Sequence, residues 1–153
     1  MHRRGGVIGV LMLGLAAGAS AQTPAPQQVL GRWLTESKRG VVEIYACGEA
    51  LCGKLVWLID PIRRGAPAAD DKNPDPALRR RPLCGLAMLG GFRHTEPQRW
   101  TEGWIYDPDS GDTYHATLFL ESAGVLKLRG YVGIPLFGET QTWTRPDGRY
   151  GAC

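Results

Sequence analysis

The sequence has little histidine, and this limits the chemistry that it can carry out. Three of its 153 residues are histidines, and only His94 and His115 lie in the part that is expected to fold. Neither stands beside a recognisable serine or cysteine nucleophile, and the G-x-S-x-G pattern of many serine hydrolases is absent. Two acids such as Glu43 and Glu102 could still meet inside the fold. We therefore expect a protein that is not an enzyme, and a small hydrolase is the remaining enzymatic alternative.

The chain also lacks a strong excess of either charge. It has 18 basic and 15 acidic side chains, which gives a net charge of +3. Without the two arginines of the N-terminal segment, Arg3 and Arg4, 16 basic and 15 acidic side chains remain, a net charge of +1. The electrostatic pattern of a nucleic-acid-binding protein is therefore missing. The basic run Arg79-Arg80-Arg81 is interpreted as a solvated loop, with a polyanion site as the alternative.

The N-terminal apolar run is too short to cross a membrane comfortably as a helix, which takes about 20 residues. It spans residues 7–19, follows Arg3 and Arg4, and ends at the small residues Ala19-Ser20-Ala21. This order is typical of a secretory signal peptide, with cleavage after Ala21, and a retained anchor is the alternative. The protein is then expected in the periplasm or outside the cell.

Removal of residues 1–21 from the 153 leaves 132, which is the length of one domain. Residues 22–28 are rich in proline and polar residues and are expected to form a flexible leader. Residues 29–153 are expected to form a single folded domain with no transmembrane span.

The folded part contains four cysteines, and an even number in an exported chain favours disulfide bonds. Cys47 and Cys52 flank one short turn, so we predict a bond between them and a second bond between Cys84 and Cys153. Three connectivities are open in principle, and a zinc site is a further alternative.

Short runs that are rich in β-branched and aromatic residues dominate the rest of the chain, and turn residues separate them. The start of the fourth run, Leu-Ala-Met-Leu, could begin a helix, but two glycines favour a strand. The region from Leu55 to Ile59 is apolar on both faces, which predicts cover by a loop or a partner. The eight predicted strands are Leu30–Glu36, Val41–Cys47, Leu51–Asp60, Leu86–Phe92, Trp100–Tyr106, Thr113–Leu120, Leu126–Val132 and Thr140–Arg145.

One long segment, residues 61–82, interrupts this series with prolines and charges and has no apolar periodicity. Segments of this length inside a domain are usually functional or packed as a lid. Its Asp71-x-Asn73-x-Asp75 pattern resembles the opening of a calcium loop, but proline stands at 76 and 82, where glycine and glutamate are needed. We expect no metal and no cofactor, with an irregular calcium site that includes Asp70 as the alternative.

Eight antiparallel strands in sequence order leave two exposed edges unless the sheet closes. We therefore predict an all-β fold, an eight-stranded up-and-down barrel with one long loop at 61–82. An interior of about eight strands is either filled by side chains or holds one small ligand.

Gly31-Arg32-Trp33 at the start of the first strand resembles the G-x-W signature of lipocalins. In that superfamily an arginine from a late strand covers the tryptophan at the closed end of the barrel, and Arg145 is in the matching place in chain order. Stacking of a guanidinium on an indole is favourable by about 0.5–2 kcal/mol in any family. Trp33 and Arg145 are therefore expected to be structural.

A closer resemblance covers the chain nearly end to end, to the bacterial secreted family named domain of unknown function 2147. The resemblance implies a lipocalin-like barrel in the periplasm or outside the cell, without an established activity or binding residues. The matching stretches are Gly31-x-Trp33, Val42-x-Ile44-Tyr45, Cys47-Gly48, Leu51-Cys52-Gly53-Lys54, Asp71-Lys72-Asn73-Pro74, Trp100–Gly103, Asp107-Pro108, Gly111, Tyr114, Arg129-Gly130-Tyr131, Phe137-Gly138 and Gln141–Arg145.

Aromatic residues on several strands favour non-covalent binding of a small, partly apolar ligand. The alternative is an envelope structural or protein-interaction module with a solid core and an apolar surface patch near residues 55–62. Large residues near the middle of strands are the candidates for a ligand-binding lining, namely Tyr45, Trp57, Trp104, Phe119 and Tyr131.

Overall fold

The computed structural model describes residues 25–153. The predicted signal peptide and the first three residues of the predicted leader lie outside the described residues. Ala25–Gln28, the rest of that leader, form a single helical turn, α1. Among the described residues, no helix is both long and apolar enough to cross a membrane.

Antiparallel strands make up most of the regular secondary structure of the described chain. Its strands are β1 (Gly31–Leu34), β2 (Gly40–Cys47), β3 (Ala50–Leu58), β4 (Ile62–Arg63), β5 (Ala66–Pro67), β6 (Ala87–Glu96), β7 (Arg99–Asp107), β8 (Asp112–Ser122), β9 (Val125–Tyr131) and β10 (Gly138–Thr144). Strands β4 and β5 form a separate small hairpin.

The other eight strands close into one barrel in the order β1-β10-β9-β8-β7-β6-β3-β2. Neighbours in sequence are neighbours in space, so the sheet is an up-and-down meander. Strands β1 and β10 meet at a single register pair, Leu34 with Thr144. The predicted eight-stranded closed barrel is confirmed, and the fourth predicted run is a strand, β6.

The connections divide the barrel into two ends. At the first end, short turns at residues 48–49, 97–98 and 123–124 join the strands, and we call it the closed end. At the other end, residues 35–39, 59–86, 108–111 and 132–137 connect the strands, and we call it the mouth. The longer connections lie at the mouth, as is common where binding sites are built.

Trp33 and Arg145 lie together at the closed end, as predicted. The Arg145 guanidinium carbon is 3.7 Å from the centre of the fully buried Trp33 ring. Arg145 Nη1 donates to the carbonyl oxygens of Leu30 at 3.0 Å and Arg32 at 3.1 Å, and Nη2 donates to that of Gln28. Burial lowers the pKa of Arg145. The stacked pair joins α1, β1 and β10 into one unit.

Both predicted disulfide bonds are present. Cys47–Cys52 spans the turn between β2 and β3 with a Cα–Cα distance of 5.8 Å, and Cys84–Cys153 joins residues 69 positions apart. No described cysteine is free, so the zinc alternative is wrong. The bonds are compatible with a periplasmic or extracellular location.

The C-terminal tail packs on β3 at Val56 and Trp57, a cover that the sequence did not predict. The Trp57 and Tyr150 rings meet edge to face at 4.9 Å, and the Cys153 N–H donates to the Val56 carbonyl at 2.8 Å. The disulfide to Cys84 holds the tail in this position. Strand β3 can therefore be apolar on both faces, because both faces are packed.

Candidate functional site

A cavity of about 540 Å³ occupies the mouth half of the barrel. Its floor is apolar and buried, and consists of Leu55, Met88, Leu128 and Trp143. Above the floor, the wall contains Ile105, Tyr114, Gly130 and Gln141. Binding sites for small molecules typically have volumes of about 300–1,000 Å³ and mostly apolar walls.

Glycine and large side chains decide which half of the interior is open. Away from the cavity lining, a Cβ atom at Gly53 would come within 2.8 Å of Leu89, and one at Gly103 within 2.3 Å of Phe92. Large neighbours therefore already fill the space that these glycines leave.

Gly130 leaves free space instead. A Cβ atom there would lie 3.7 Å from Ile105 and 3.8 Å from Tyr114, which is ordinary van der Waals contact, and all three residues line the cavity. A glycine inside a strand often marks a place where another group approaches closely.

The indole N–H of Trp143, on the cavity floor, has a partner. Trp143 Nε1 donates to Gln141 Oε1 at 2.9 Å, and both residues line the cavity. Among the described residues, no buried side-chain nitrogen or oxygen lacks a hydrogen-bond partner. The floor therefore offers apolar contact without a strong demand for a polar ligand group.

The rim of the mouth is polar and carries both charges. Arg39 and Arg63 lie there with Asp60 and Glu139, and all four are exposed cavity-lining residues. None of the four forms an ion pair within residues 25–153. The geometry suits a ligand whose apolar part is buried and whose polar part remains at the rim.

Of the five residues predicted to line a ligand site, the structure places Tyr131 in the cavity lining. Tyr131 is the last residue of β9, and its ring lies 5.8 Å from that of His115, an exposed residue outside the lining. Tyr131 thus belongs to the rim.

The other four candidates are not in the lining. Trp57 packs against the tail, and Tyr45 lies near the ammonium group of Lys54, at 5.6 Å, on the outer wall. Phe119 lies 5.4 Å from the guanidinium of Arg99.

Trp104 covers Gly90, where a Cβ atom would lie 2.9 Å from the indole, and is partly exposed on the outer wall. Any contact of Trp104 or the other three with a ligand stays a prediction.

The long segment is fixed to the barrel wall by a buried polar cluster that the sequence did not reveal. Asp70 is fully buried and accepts hydrogen bonds from Tyr106 Oη at 2.5 Å, Asn73 Nδ2 at 2.8 Å and Arg81 Nε at 2.8 Å. Burial, together with the hydrogen bond to Asp70, raises the pKa of Tyr106 above its ordinary 10.0. We call these four residues the Asp70 cluster.

A close approach beside the cluster needs a glycine. A Cβ atom at Gly111 would lie 2.1 Å from the Lys72 carbonyl oxygen, and Gly111 has φ 83°. The 61–82 segment is therefore packed against the turn between β7 and β8.

The calcium alternative is not supported by these contacts. Asp70 accepts from three protein donors, Asn73 Oδ1 accepts from the Asp75 N–H, and Asp75 Oδ1 accepts from the Ala77 N–H at 2.9 Å. Within residues 25–153 no three His, Cys, Asp or Glu side chains form a group that could hold a metal ion.

The two acids considered for catalysis do not meet in the barrel. Glu43 lies 3.6 Å from Arg32 and 3.7 Å from Lys54 in ion pairs at the surface. Glu102 is exposed and lies 3.8 Å from Arg93. Neither glutamate lines the cavity.

Comparison with known proteins agrees with this architecture. The family model described as "Uncharacterized protein conserved in bacteria (DUF2147)" matches residues 31–145. The chain belongs to this family. A search of curated proteins gives no match.

A solved structure of protein HP1028 from the human pathogen Helicobacter pylori, which belongs to the lipocalin family, is similar, with a TM-score of 0.68. The alignment has 21% identity and covers 78% of this chain and 84% of that chain. At this identity the likeness shows the lipocalin-like fold alone.

Proposed function

We propose that this DUF2147 member is an exported, non-enzymatic protein that binds a small, partly apolar ligand in the mouth half of its barrel. The observation that carries the proposal is the cavity of about 540 Å³ with an apolar floor. Burial of apolar ligand surface is favourable by about 25 cal/mol per Å² before the costs of association. The lipocalin-like fold adds support by analogy.

The ligand that fits best has an apolar chain or ring system and one polar end. The floor around Leu55 and Trp143 takes the apolar part, and the rim with Arg39 and Glu139 solvates the polar part. A hollow mouth argues against the solid-core structural module. The apolar patch which that alternative predicted does exist in part, since Ile59 and Ile62 are exposed.

Titration with an environment-sensitive naphthalene dye, followed by displacement with single-chain amphiphiles, tests binding. The decisive variant is Gly130→Leu, which fills the middle of the cavity without a clash at Cβ. We expect dye affinity to fall by about tenfold or more, because the new side chain occupies ligand space.

Gly124→Leu is the matched control. Gly124 lies in the turn at the closed end, with no atom within 4 Å of a Cβ placed there. The control should bind dye like the unchanged protein. Equal affinity in Gly130→Leu, or no dye binding in the unchanged protein, contradicts the proposal.

A further inference from the structure

A second cavity lies between the 61–82 segment and the outer wall of the barrel. Its volume is about 280 Å³, and we call it the outer pocket. The segment contributes Arg81 to its lining, β7 contributes Trp104 and β8 contributes Thr113. Among the described residues, Tyr106 alone lines both the outer pocket and the cavity in the mouth. The outer pocket is therefore a separate candidate site.

Arg81 is the only charged side chain among the described residues that line the outer pocket. Its Nε donates to the fully buried Asp70 at 2.8 Å, and its guanidinium carbon lies 5.9 Å from the centre of the Tyr106 ring. Within residues 25–153, its Nη1 and Nη2 atoms have no hydrogen-bond partner. The contact with Asp70 therefore fixes the guanidinium group and leaves its two terminal nitrogen atoms free to donate.

The other side chains of the Asp70 cluster use their polar atoms on one another. Asn73 Nδ2 donates to Asp70 at 2.8 Å and to Tyr106 Oη at 3.2 Å, and its Oδ1 accepts from the Asp75 N–H. The Tyr106 hydroxyl donates to Asp70 at 2.5 Å. Since the Asp70 carboxylate is buried and satisfied by these donors, the charge that the cluster presents to the pocket is the guanidinium group of Arg81.

Trp104 adds a flat apolar surface to the same pocket. Its side chain is 37% exposed, although its ring packs over Gly90, where a Cβ atom would lie 2.9 Å from the indole. Packing on an aromatic ring and a charge-assisted hydrogen bond are different kinds of interaction. Together they favour a ligand that has both a flat part and an anionic group.

We propose that the outer pocket binds a small ligand in which a carboxylate group is attached to a flat ring. The carboxylate accepts two hydrogen bonds from the terminal nitrogen atoms of Arg81, because the planar guanidinium group matches its two oxygen atoms. The ring packs on Trp104. A singly charged carboxylate fits better than a doubly charged phosphate, since the lining offers one positive group and Asp70 lies directly behind it.

The test is an NMR titration of ¹⁵N-labelled protein with sodium benzoate at constant ionic strength, followed at the indole N–H of Trp104. We expect Arg81→Gln to weaken benzoate binding by about tenfold, because a charge-assisted hydrogen bond is lost. Arg80→Gln is the matched control, since it removes the same charge from the next position and Arg80 does not line the pocket. It should bind benzoate like the unchanged protein.

Thr113→Glu tests the site without a change in the Asp70 cluster. Thr113 is exposed and is the register partner of Tyr106. Glutamate there adds a negative charge to the lining and should weaken benzoate binding by about tenfold, whereas Thr113→Gln, of similar size, should weaken it by less than about threefold. Both variants should still bind the naphthalene dye, because Thr113 does not line the cavity in the mouth.

The proposal is overturned if benzoate leaves the Trp104 signal of the unchanged protein in place, or if Arg80→Gln weakens binding as much as Arg81→Gln. If Arg81→Gln does not fold, the two Thr113 variants decide, and equal benzoate affinity in both contradicts the proposal. Acetate has no ring and should bind more weakly than benzoate, so equal affinity would remove the role of Trp104. Inorganic phosphate that binds as tightly as benzoate would overturn the choice of a carboxylate.

Discussion

The closed half and the mouth half of the barrel are built from the same strands but differ in what fills them. In the closed half, Phe92 occupies the space next to Gly103, and Trp33 lies under Arg145. In the mouth half, the side of the wall at Gly130 is left free. Stability and the proposed ligand binding would therefore depend on opposite ends of one sheet, and substitutions should separate the two properties.

Trp33→Ala should have the largest effect, because it empties the packed half. Trp33 is fully buried, its Nε1 donates to the Val29 carbonyl at 2.8 Å, and it stacks with Arg145. We expect a loss of about 3–5 kcal/mol in the free energy of unfolding, measured by urea denaturation. A loss below about 1 kcal/mol would break the distinction between the halves.

Two leucines compare the halves with the same chemical change. Leu120 (1% exposed) and Leu55 (3% exposed) both belong to the hydrophobic core, but Leu55 also lines the cavity and Leu120 does not. Leu120→Ala should cost about 3 kcal/mol and Leu55→Ala about 2 kcal/mol, because an open cavity admits water and creates no new sealed void. Equal losses in the urea midpoint would show that both halves are packed alike.

Asp70→Asn tests how the 61–82 segment is held at the mouth. The new amide would present donors to Asn73 Nδ2 or Arg81 Nε, which already donate to the carboxylate. We expect a loss of about 1–3 kcal/mol in unfolding free energy. The exposed neighbour gives the control, since Asp71→Asn should change stability by less than about 0.5 kcal/mol. Similar values for both variants would mean that the cluster does not stabilise the segment.

Alkaline pH should lower the stability of the protein through the Asp70 cluster, with a smaller effect than the Asp70→Asn substitution. Because the pKa of Tyr106 is raised above 10.0 in the fold, the unfolded chain loses this proton first as pH rises past 10.0. The contribution to stability is fully present below that pH and is lost as pH rises through the raised pKa. The slope from this one group is at most about 1.4 kcal/mol per pH unit.

Tyr106→Phe removes this titration and should flatten the fall in the urea midpoint between about pH 9 and about pH 11. The variant begins from a lower stability at neutral pH, because the hydrogen bond to Asp70 is gone. Identical pH slopes in the variant and the unchanged protein would contradict the role given to Tyr106.

The barrel was predictable from sequence because turn residues and alternating apolar residues repeat along the chain. The disulfide at Cys47 and Cys52 followed from the turn between them, and the contact of Trp33 with Arg145 followed from the resemblance to lipocalins together with the closed sheet. These features depend on short spacings or on the order of strands, which a sequence displays directly.

The cavity lining was less predictable, because bulges change which face of a strand points inward. The pairing shifts between Trp100 and Gly103, where Glu102 has φ 63°, so the face of Trp104 cannot be counted from Trp100. Gly130 was a sequence signal for the cavity, because it is a glycine within a strand and not at a turn. In the Asp70 cluster, Tyr106 and Asp70 are 36 positions apart, and no local sequence pattern predicts the hydrogen bond between them.

Because one residue pair joins β1 to β10, heating should open the sheet along that line before the other strands separate. The hydrogen bonds from Arg145 to the carbonyls of Leu30 and Arg32 cross the same junction and keep it shut at one end only. Amide protons near Leu34 should therefore exchange with solvent sooner than those between β7 and β8, where seven residue pairs are in register.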